Sequence, residues 1–149
     1  MTWRIELGHN FETAHRLSTP ASPTKCQSIH GHSWWARVTI EGASIDGDGI
    51  LVEFGDFKRA WRRFIDDQLD HALVLRAGDP VIAALQAVVP EQRLYVLDEN
   101  PTTEVLAKHL FEQSARILAQ ELGVSSEWAR VVELHIQETR VNAASYKAT

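Results

Sequence analysis

Cys26-Gln27-Ser28-Ile29-His30-Gly31-His32-Ser33-Trp34-Trp35-Ala36-Arg37-Val38-Thr39-Ile40-Glu41 carries a chemical cluster at one end and a structural pattern at the other. Trp34, Ala36, Val38 and Ile40 alternate with Trp35, Arg37, Thr39 and Glu41, the period-2 signature of a strand with one buried face. His30 and His32 share the parity of the apolar row. If they open the strand, both imidazoles point to one face, and Gly31 between them keeps the opposite face open to close approach. Two imidazoles on one face are two of the three protein ligands of a catalytic zinc site.

The segment upstream supplies a third. Trp3, Ile5, Leu7, His9, Phe11, Thr13 and His15 alternate with Arg4, Glu6, Gly8, Asn10 and Glu12, a long strand ending at His15. Ser18-Thr19-Pro20-Ala21-Ser22-Pro23-Thr24 is loop chemistry. If the two strands pair antiparallel, the end of the first lies beside the start of the second, and His15 meets His30 and His32. A bulge would break that parity. Three neutral nitrogen ligands leave a fourth position for water or substrate. His9, His109 and His135 have no such company and read as packing or surface residues.

Further on, Asp46-Gly47-Asp48-Gly49 is a turn, because its acidic spacing stops short of a calcium loop and no glutamate closes it. Ile50-Leu51-Val52 is a short apolar return. Phe54, Phe57, Trp61, Phe64, Ile65 and Leu69 form the stripe of an amphipathic helix over about 55–70, with Lys58, Arg59, Arg62 and Arg63 on its solvated side. Asp79 capping Pro80 suggests a short helix to Val89, and Leu94 to Leu97 a short strand. A second long helix opens at Asn100-Pro101, with asparagine as N-cap, and runs to about Leu122 before Gly123. Val132, Leu134 and Ile136 form a core-facing row, continued in parity by Glu138, and Tyr146 belongs to a final strand. The order β-β-α-α-β-β gives an α+β fold: an antiparallel four-stranded sheet with two helices on one face.

The totals set limits. A chain of 149 residues is one domain by default, here spanning 1–149. A net charge of −5 argues against a nucleic-acid surface. No apolar run approaches a membrane span, and Met1 to Glu6 carries an acid and no signal-type apolar segment. A single cysteine cannot form an internal disulfide, which fits a cytoplasmic location.

Three other residues invite chemistry. Cys26 either completes the metal site as a fourth ligand, giving a closed, non-catalytic Cys-His₃ zinc module, or stands beside an open site as a reactive thiol. Asp70-His71 at a helix end is either a C-terminal cap or a proton relay to Cys26. Glu138 ends a buried row, where a carboxylate either grips a planar pair of N–H groups or bonds the backbone.

Phe11 to Leu17, Cys26 to His32, Leu69-Asp70-His71, Asn100 to Glu104 and Glu138-Thr139 together resemble the 6-pyruvoyltetrahydropterin synthase / 6-carboxytetrahydropterin synthase family, in the family's order and over nearly the whole chain. The Cys26–His30 spacing resembles the bacterial carboxy-forming branch; the animal pyruvoyl-forming enzymes have a longer gap there. The resemblance implies the tunnelling fold, in which subunits form trimers whose sheets close an oligomeric barrel, and two trimers stack into a hexamer. It also implies sites between subunits, so that Glu138 and Thr102-Thr103 could come from a different chain than the zinc.

Carried over by residue, the resemblance makes His15, His30 and His32 the Zn²⁺ ligands and Cys26 the catalytic base, with Asp70 and His71 as its relay. Glu138 would anchor a pterin ring, and Thr102 and Thr103 would complete its pocket. Lys25 and Arg16 are the nearest cations for a triphosphate. The implied activity converts 7,8-dihydroneopterin triphosphate to 6-carboxy-5,6,7,8-tetrahydropterin, acetaldehyde and triphosphate, on the route to queuosine; the alternative is a pyruvoyl-forming synthase or a related pterin lyase or aldolase. Three features depart from the family pattern: Glu53 where aspartate is usual, Val74-Leu75 where Leu-Asn is common, and the long connection from Ala72 to Glu99.

Overall fold

A computed structural model describes residues 1–149. Strand β1 (Trp3–His15) and strand β2 (His30–Gly42) form a long antiparallel pair with unbroken register from Trp3 opposite Gly42 to His15 opposite His30. Between them lies a short helix, α1 (Thr24–Gln27). The parity expected from the sequence holds: Leu7, Phe11, Thr13 and His15 of β1 and Trp34, Ala36, Val38 and Ile40 of β2 are buried. Asp46 accepts from the Asp48 and Ile50 amides, so the segment after β2 is a turn.

Helix α2 (Phe54–Gln68) buries Phe57, Ala60, Trp61 and Ile65. Glu53 is its N-cap and accepts from the Gly55 amide at 2.8 Å, so glutamate here performs the capping that aspartate would. Strand β3 (Leu73–Arg76), helix α3 (Pro80–Val88) and strand β4 (Leu94–Leu97) follow, then helix α4 (Thr103–Arg116) with a π-helical turn over Ile117–Glu121. Strands β5 (Arg130–Gln137) and β6 (Ala143–Lys147) close the chain. Gly123, at φ 69°, takes the left-handed conformation that stops the helical run.

Two features correct the sequence expectation. The sheet has six strands, not four, in the order β4-β3-β1-β2-β5-β6, and it is mixed, because β3 runs parallel to β1 and β4 parallel to β3. The long connection from Ala72 to Glu99 is therefore a strand–helix–strand unit added at the His15 end of β1. Its central strand is buried through Leu73, Val74 and Leu75, as a parallel strand covered on both faces requires. The second correction is a shift of register between Thr39 and Ile40: Thr39 lies opposite Glu133 and Ile40 opposite Val131. Val132 is passed over, and Val131 takes its place in the core row with Leu134 and Ile136.

The core unites one face of β1, β2 and β5 with α2, α4 and the π-helical turn. Trp34, Phe57, Trp61, Leu106 and Leu134 are among its fully buried members. No helix is long and apolar enough to cross a membrane.

Candidate metal centre

The β1–β2 register places the three histidines. His15 faces His30 across the pair, and His32 faces Thr13 one step along the same face. Their ring centroids stand 4.6 Å (His15–His30), 5.2 Å (His15–His32) and 5.0 Å (His30–His32) apart. One ring nitrogen from each lies within 4.8 Å of the others. Cys26 contributes no atom to that group, so the geometry is three-coordinate from the protein and not a closed Cys-His₃ set.

Hydrogen bonds fix which nitrogen faces inward. His15 Nδ1 is 2.7 Å from the Pro101 carbonyl, and His30 Nδ1 is 2.7 Å from the Ser28 carbonyl. A carbonyl oxygen only accepts, so each Nδ1 carries the proton and each Nε2 keeps its lone pair. Burial pushes the His15 imidazole below its usual pKa, and His30 and His32 push the same way against the Pro101 carbonyl and Glu138. Burial also lowers His32, with Glu138 opposing. The Nε2 atoms of His15 and His32 are buried without a hydrogen-bond partner. Glu138 Oε1 lies 3.7 Å from each of them, beyond hydrogen-bond reach. Two buried ring nitrogens left without partners, converging with a nitrogen of His30 on one point, fit a divalent metal.

A cavity of about 410 Å³ opens over the cluster, lined by His15, His30 and His32 together with Lys25, Cys26 and Glu138. Cys26 reaches it from the short α1 turn, whose Cys26 carbonyl accepts from the Leu17 amide at 2.8 Å. Glu138 reaches it from the β5–β6 turn, where the Glu138 and Thr139 amides both donate to the Asn142 carbonyl. Thr103 Oγ1 donates to Glu138 Oε1 at 3.0 Å. Glu138 and Thr103 thus share a chain with the histidines, which corrects the expectation of a different subunit. Thr102 is the N-cap of α4, accepting from the Val105 amide, so its hydroxyl is engaged by the helix. This also corrects the cap assignment: Asn100 Oδ1 instead accepts from the Ser18 amide and ties down the loop after β1.

Asp70 and His71 lie elsewhere. His71 lines a second cavity of about 510 Å³ with Glu12, Gly31, Leu85 and Gln92, which meets the metal cavity only at His32. Its Nδ1 is 2.7 Å from Asp70 Oδ2, while Asp70 Oδ1 accepts from the Glu12 amide at 2.8 Å. Burial pushes the Asp70 carboxyl up, but the Glu12 amide and His71 outweigh it and hold the pKa below the usual value. His71 sits at φ 58°, the only non-glycine residue with a left-handed backbone. Within one chain Cys26 and His71 are not brought together. A Cβ at Gly31 would meet nothing nearer than 3.7 Å, so the second cavity is open behind the metal histidines.

Of the two cations, Lys25 lines the metal cavity, whereas Arg16 is committed to the buried Asp79 at 2.9 Å. His9 pairs with Asp66, His109 with Tyr95 and His135 with Ser145, and none of the three joins the histidine cluster. Sequence reasoning missed the residues that support the site. Pro101 acts through its carbonyl, which no side-chain pattern reveals. Trp34, whose ring centroid lies 5.3 Å from His15 and 5.2 Å from His32, read only as a core residue.

Comparison with known proteins points to one family and one fold. Residues 4–149 match the family described as 6-pyruvoyl tetrahydropterin synthase. A 6-carboxy-5,6,7,8-tetrahydropterin synthase of Rickettsia bellii is 36% identical over 109 residues, covering 73% of this chain and 75% of the relative. One of Aquifex aeolicus is 27% identical over 163 aligned positions, covering 99% of each. Among solved structures, a Wolinella succinogenes protein superposes with a TM-score of 0.81 at 20% identity, over 100% of this chain and 99% of that one. The Caenorhabditis elegans 6-pyruvoyl tetrahydropterin synthase gives 0.69 at 19%, over 100% and 97%. With the family match running over nearly its full length, the chain belongs to the 6-pyruvoyl tetrahydropterin synthase family.

Proposed function

We propose that this chain is a lyase-type pterin synthase: a zinc-dependent 6-carboxytetrahydropterin synthase acting on 7,8-dihydroneopterin triphosphate, in the cytoplasm and on the route to queuosine. The observation that carries the reading is the open cluster of His15, His30 and His32, with Cys26, Lys25 and Glu138 around one cavity. Three imidazoles are the protein ligands of a catalytic zinc site. Bound there, zinc would act as a Lewis acid towards the side-chain oxygens of the substrate and acidify the adjoining C–H bonds.

The protein groups do the rest. Glu138, already oriented by Thr103, offers carboxylate oxygens to the amino and ring N–H groups of a pterin, and charge-assisted bonds of that kind fix ring orientation. Thr103 would complete the ring pocket by holding that carboxylate, and Thr102 by capping the helix that carries Thr103. Cys26 takes the carbon-bound proton as its thiolate. Lys25 attracts the triphosphate. His71 returns a proton, with Asp70 holding its Nδ1–H and so leaving Nε2 free to exchange. Loss of triphosphate, internal transfer of two electrons to the ring, and uptake of one water with cleavage of the side chain give the 6-carboxy product and acetaldehyde.

Cys26 and His71 line separate cavities in one chain, and β4 and β6 leave both edges of the sheet unpaired. Assembly into a trimer or a dimer of trimers would cover those edges and let His71 of one copy serve Cys26 of the next. The test is incubation of zinc-loaded protein with 7,8-dihydroneopterin triphosphate and identification of products. Acetaldehyde with 6-carboxytetrahydropterin supports the reading. A 6-pyruvoyl product without acetaldehyde moves the chain to the pyruvoyl-forming branch. Wild-type turnover by Cys26→Ala removes the base assignment.

A further inference from the structure

Histidines that bind metals are normally held from behind: the second ring nitrogen donates to a carbonyl or carboxylate, which fixes tautomer and ring plane. His15 has this through Pro101 and His30 through Ser28. His32 has no such bond. Its nearest carboxylate is Glu138, 3.7 Å from the inward-facing Nε2. An imidazole without a partner has a broad, roughly two-fold torsion about its last bond, and a flip exchanges Nδ1 with Nε2. No carbonyl or carboxylate of the chain holds this ring from behind, so its orientation falls to its packing.

Trp34 is placed to do so. It is the next residue on the same face of β2 and is fully buried. Its indole plane stands at 81° to His32 and 87° to His15, with centroids 5.2 and 5.3 Å away, the edge-to-face contact that aromatic rings prefer. The indole itself cannot turn. Its Nε1–H donates to the Thr13 carbonyl at 3.0 Å, and Phe11 stacks on it at 6.3 Å and 9°. Thr13 is also the register partner of His32, so the anchor sits on the strand directly across from the ring it steadies.

We infer that Trp34 is a positioning residue of the metal site, its locked indole supplying for His32 the orientation that Pro101 and Ser28 supply for the other two histidines. The inference rests on the metal reading above. It assigns Trp34 no contact with the ion and no part in proton transfer.

The test compares wild type, Trp34→Leu, Trp34→Phe and Phe57→Leu, each stripped of metal and titrated with Zn²⁺ against a chromophoric chelator, with thermal unfolding of the stripped proteins alongside. Wild type should bind one ion per chain. Trp34→Leu should bind ~10-fold or more weakly, the effect usual for loss of an outer-shell partner, and Trp34→Phe, which keeps a ring face, should lose less. Phe57→Leu makes a cavity in the core where Phe57 stacks on Trp61, so it should lower the unfolding temperature and leave zinc affinity unchanged. Wild-type affinity in Trp34→Leu, or an equal loss in Phe57→Leu, overturns the inference while leaving the metal site standing. A wild-type chain that takes up no zinc overturns the metal reading and this inference with it. If the leucine variant does not fold, Trp34→Phe decides: a broadened His32 ring signal in NMR of the metal-free protein supports the inference, and an unchanged signal with unchanged affinity defeats it.

Discussion

Replacing His71 by alanine and by glycine separates its backbone cost from its chemistry. At φ 58° the residue occupies a region that L side chains enter at a cost of roughly 1–2 kcal/mol. Alanine keeps that cost and loses the bond to Asp70, which is exposed and worth about 0.5–1 kcal/mol. Glycine loses the same bond but relieves the strain, against about 0.5–1 kcal/mol of extra unfolded-state entropy. His71→Gly should therefore be as stable as His71→Ala or more stable by about 1 kcal/mol, a few degrees in unfolding temperature, reversing the usual order of the two residues. Both should lose turnover by about 10²–10⁴-fold, the range for a general acid–base group. Urea titration and steady-state turnover read the two halves separately. An alanine variant clearly more stable than glycine refutes the backbone argument; wild-type turnover in either refutes the relay.

Glu138→Gln preserves shape and the bond from Thr103 but replaces one carboxylate oxygen by an N–H donor facing the pterin. We expect KM to rise about 10–100-fold, the loss of one charge-assisted bond of roughly 1.5–3 kcal/mol, with the unfolding temperature unchanged; an unaltered KM contradicts the anchor role. Asp79→Ala removes the α3 cap, in which Oδ1 accepts from the Val81 amide at 2.9 Å, and leaves Arg16 without its buried counterion. The cost should be about 2–3 kcal/mol in denaturant unfolding, and a loss below about 0.5 kcal/mol contradicts it. Burial lowers the pKa values of His15, His32 and His109 in the folded chain. The unfolded chain then binds protons first as pH falls below about 6.5, so stability of the metal-free protein is complete above that pH and lost on acidification. A urea midpoint that is flat from pH 8 to 5 contradicts this.

How legible the molecule was depends on how local each cause is. The β1–β2 pair and its histidine trio followed from uninterrupted period-2 alternation, which carries register with it. α2 and the start of α3 followed from stripe and cap. The residues of β4 were readable as a strand, but its parallel pairing with β3, with a helix between them, leaves no periodic mark, and the six-stranded order stayed hidden. The exchange of Val132 for Val131 comes from one extra residue in β5 opposite Thr39 and Ile40, and three successive valine-or-glutamate positions give no alternation that marks it. Asn100 and Thr102 are both good capping residues, and only the backbone path through Pro101 chooses between them. Around the site, residue types announced the three-histidine cluster, Cys26 and Glu138. The separation of Cys26 from His71 is a property of how α2 returns to β1 and has no counterpart in sequence spacing.

The central claim is an open three-histidine centre with an unligated sulfur nearby. Cobalt(II) substitution followed by electronic absorption tests it most directly. One cobalt should bind per chain, with visible bands of a low-coordinate nitrogen-and-oxygen site, no thiolate-to-metal charge-transfer band, and loss of binding in His15→Ala. An intense charge-transfer band that disappears in Cys26→Ala, or full cobalt uptake without His15, would contradict it.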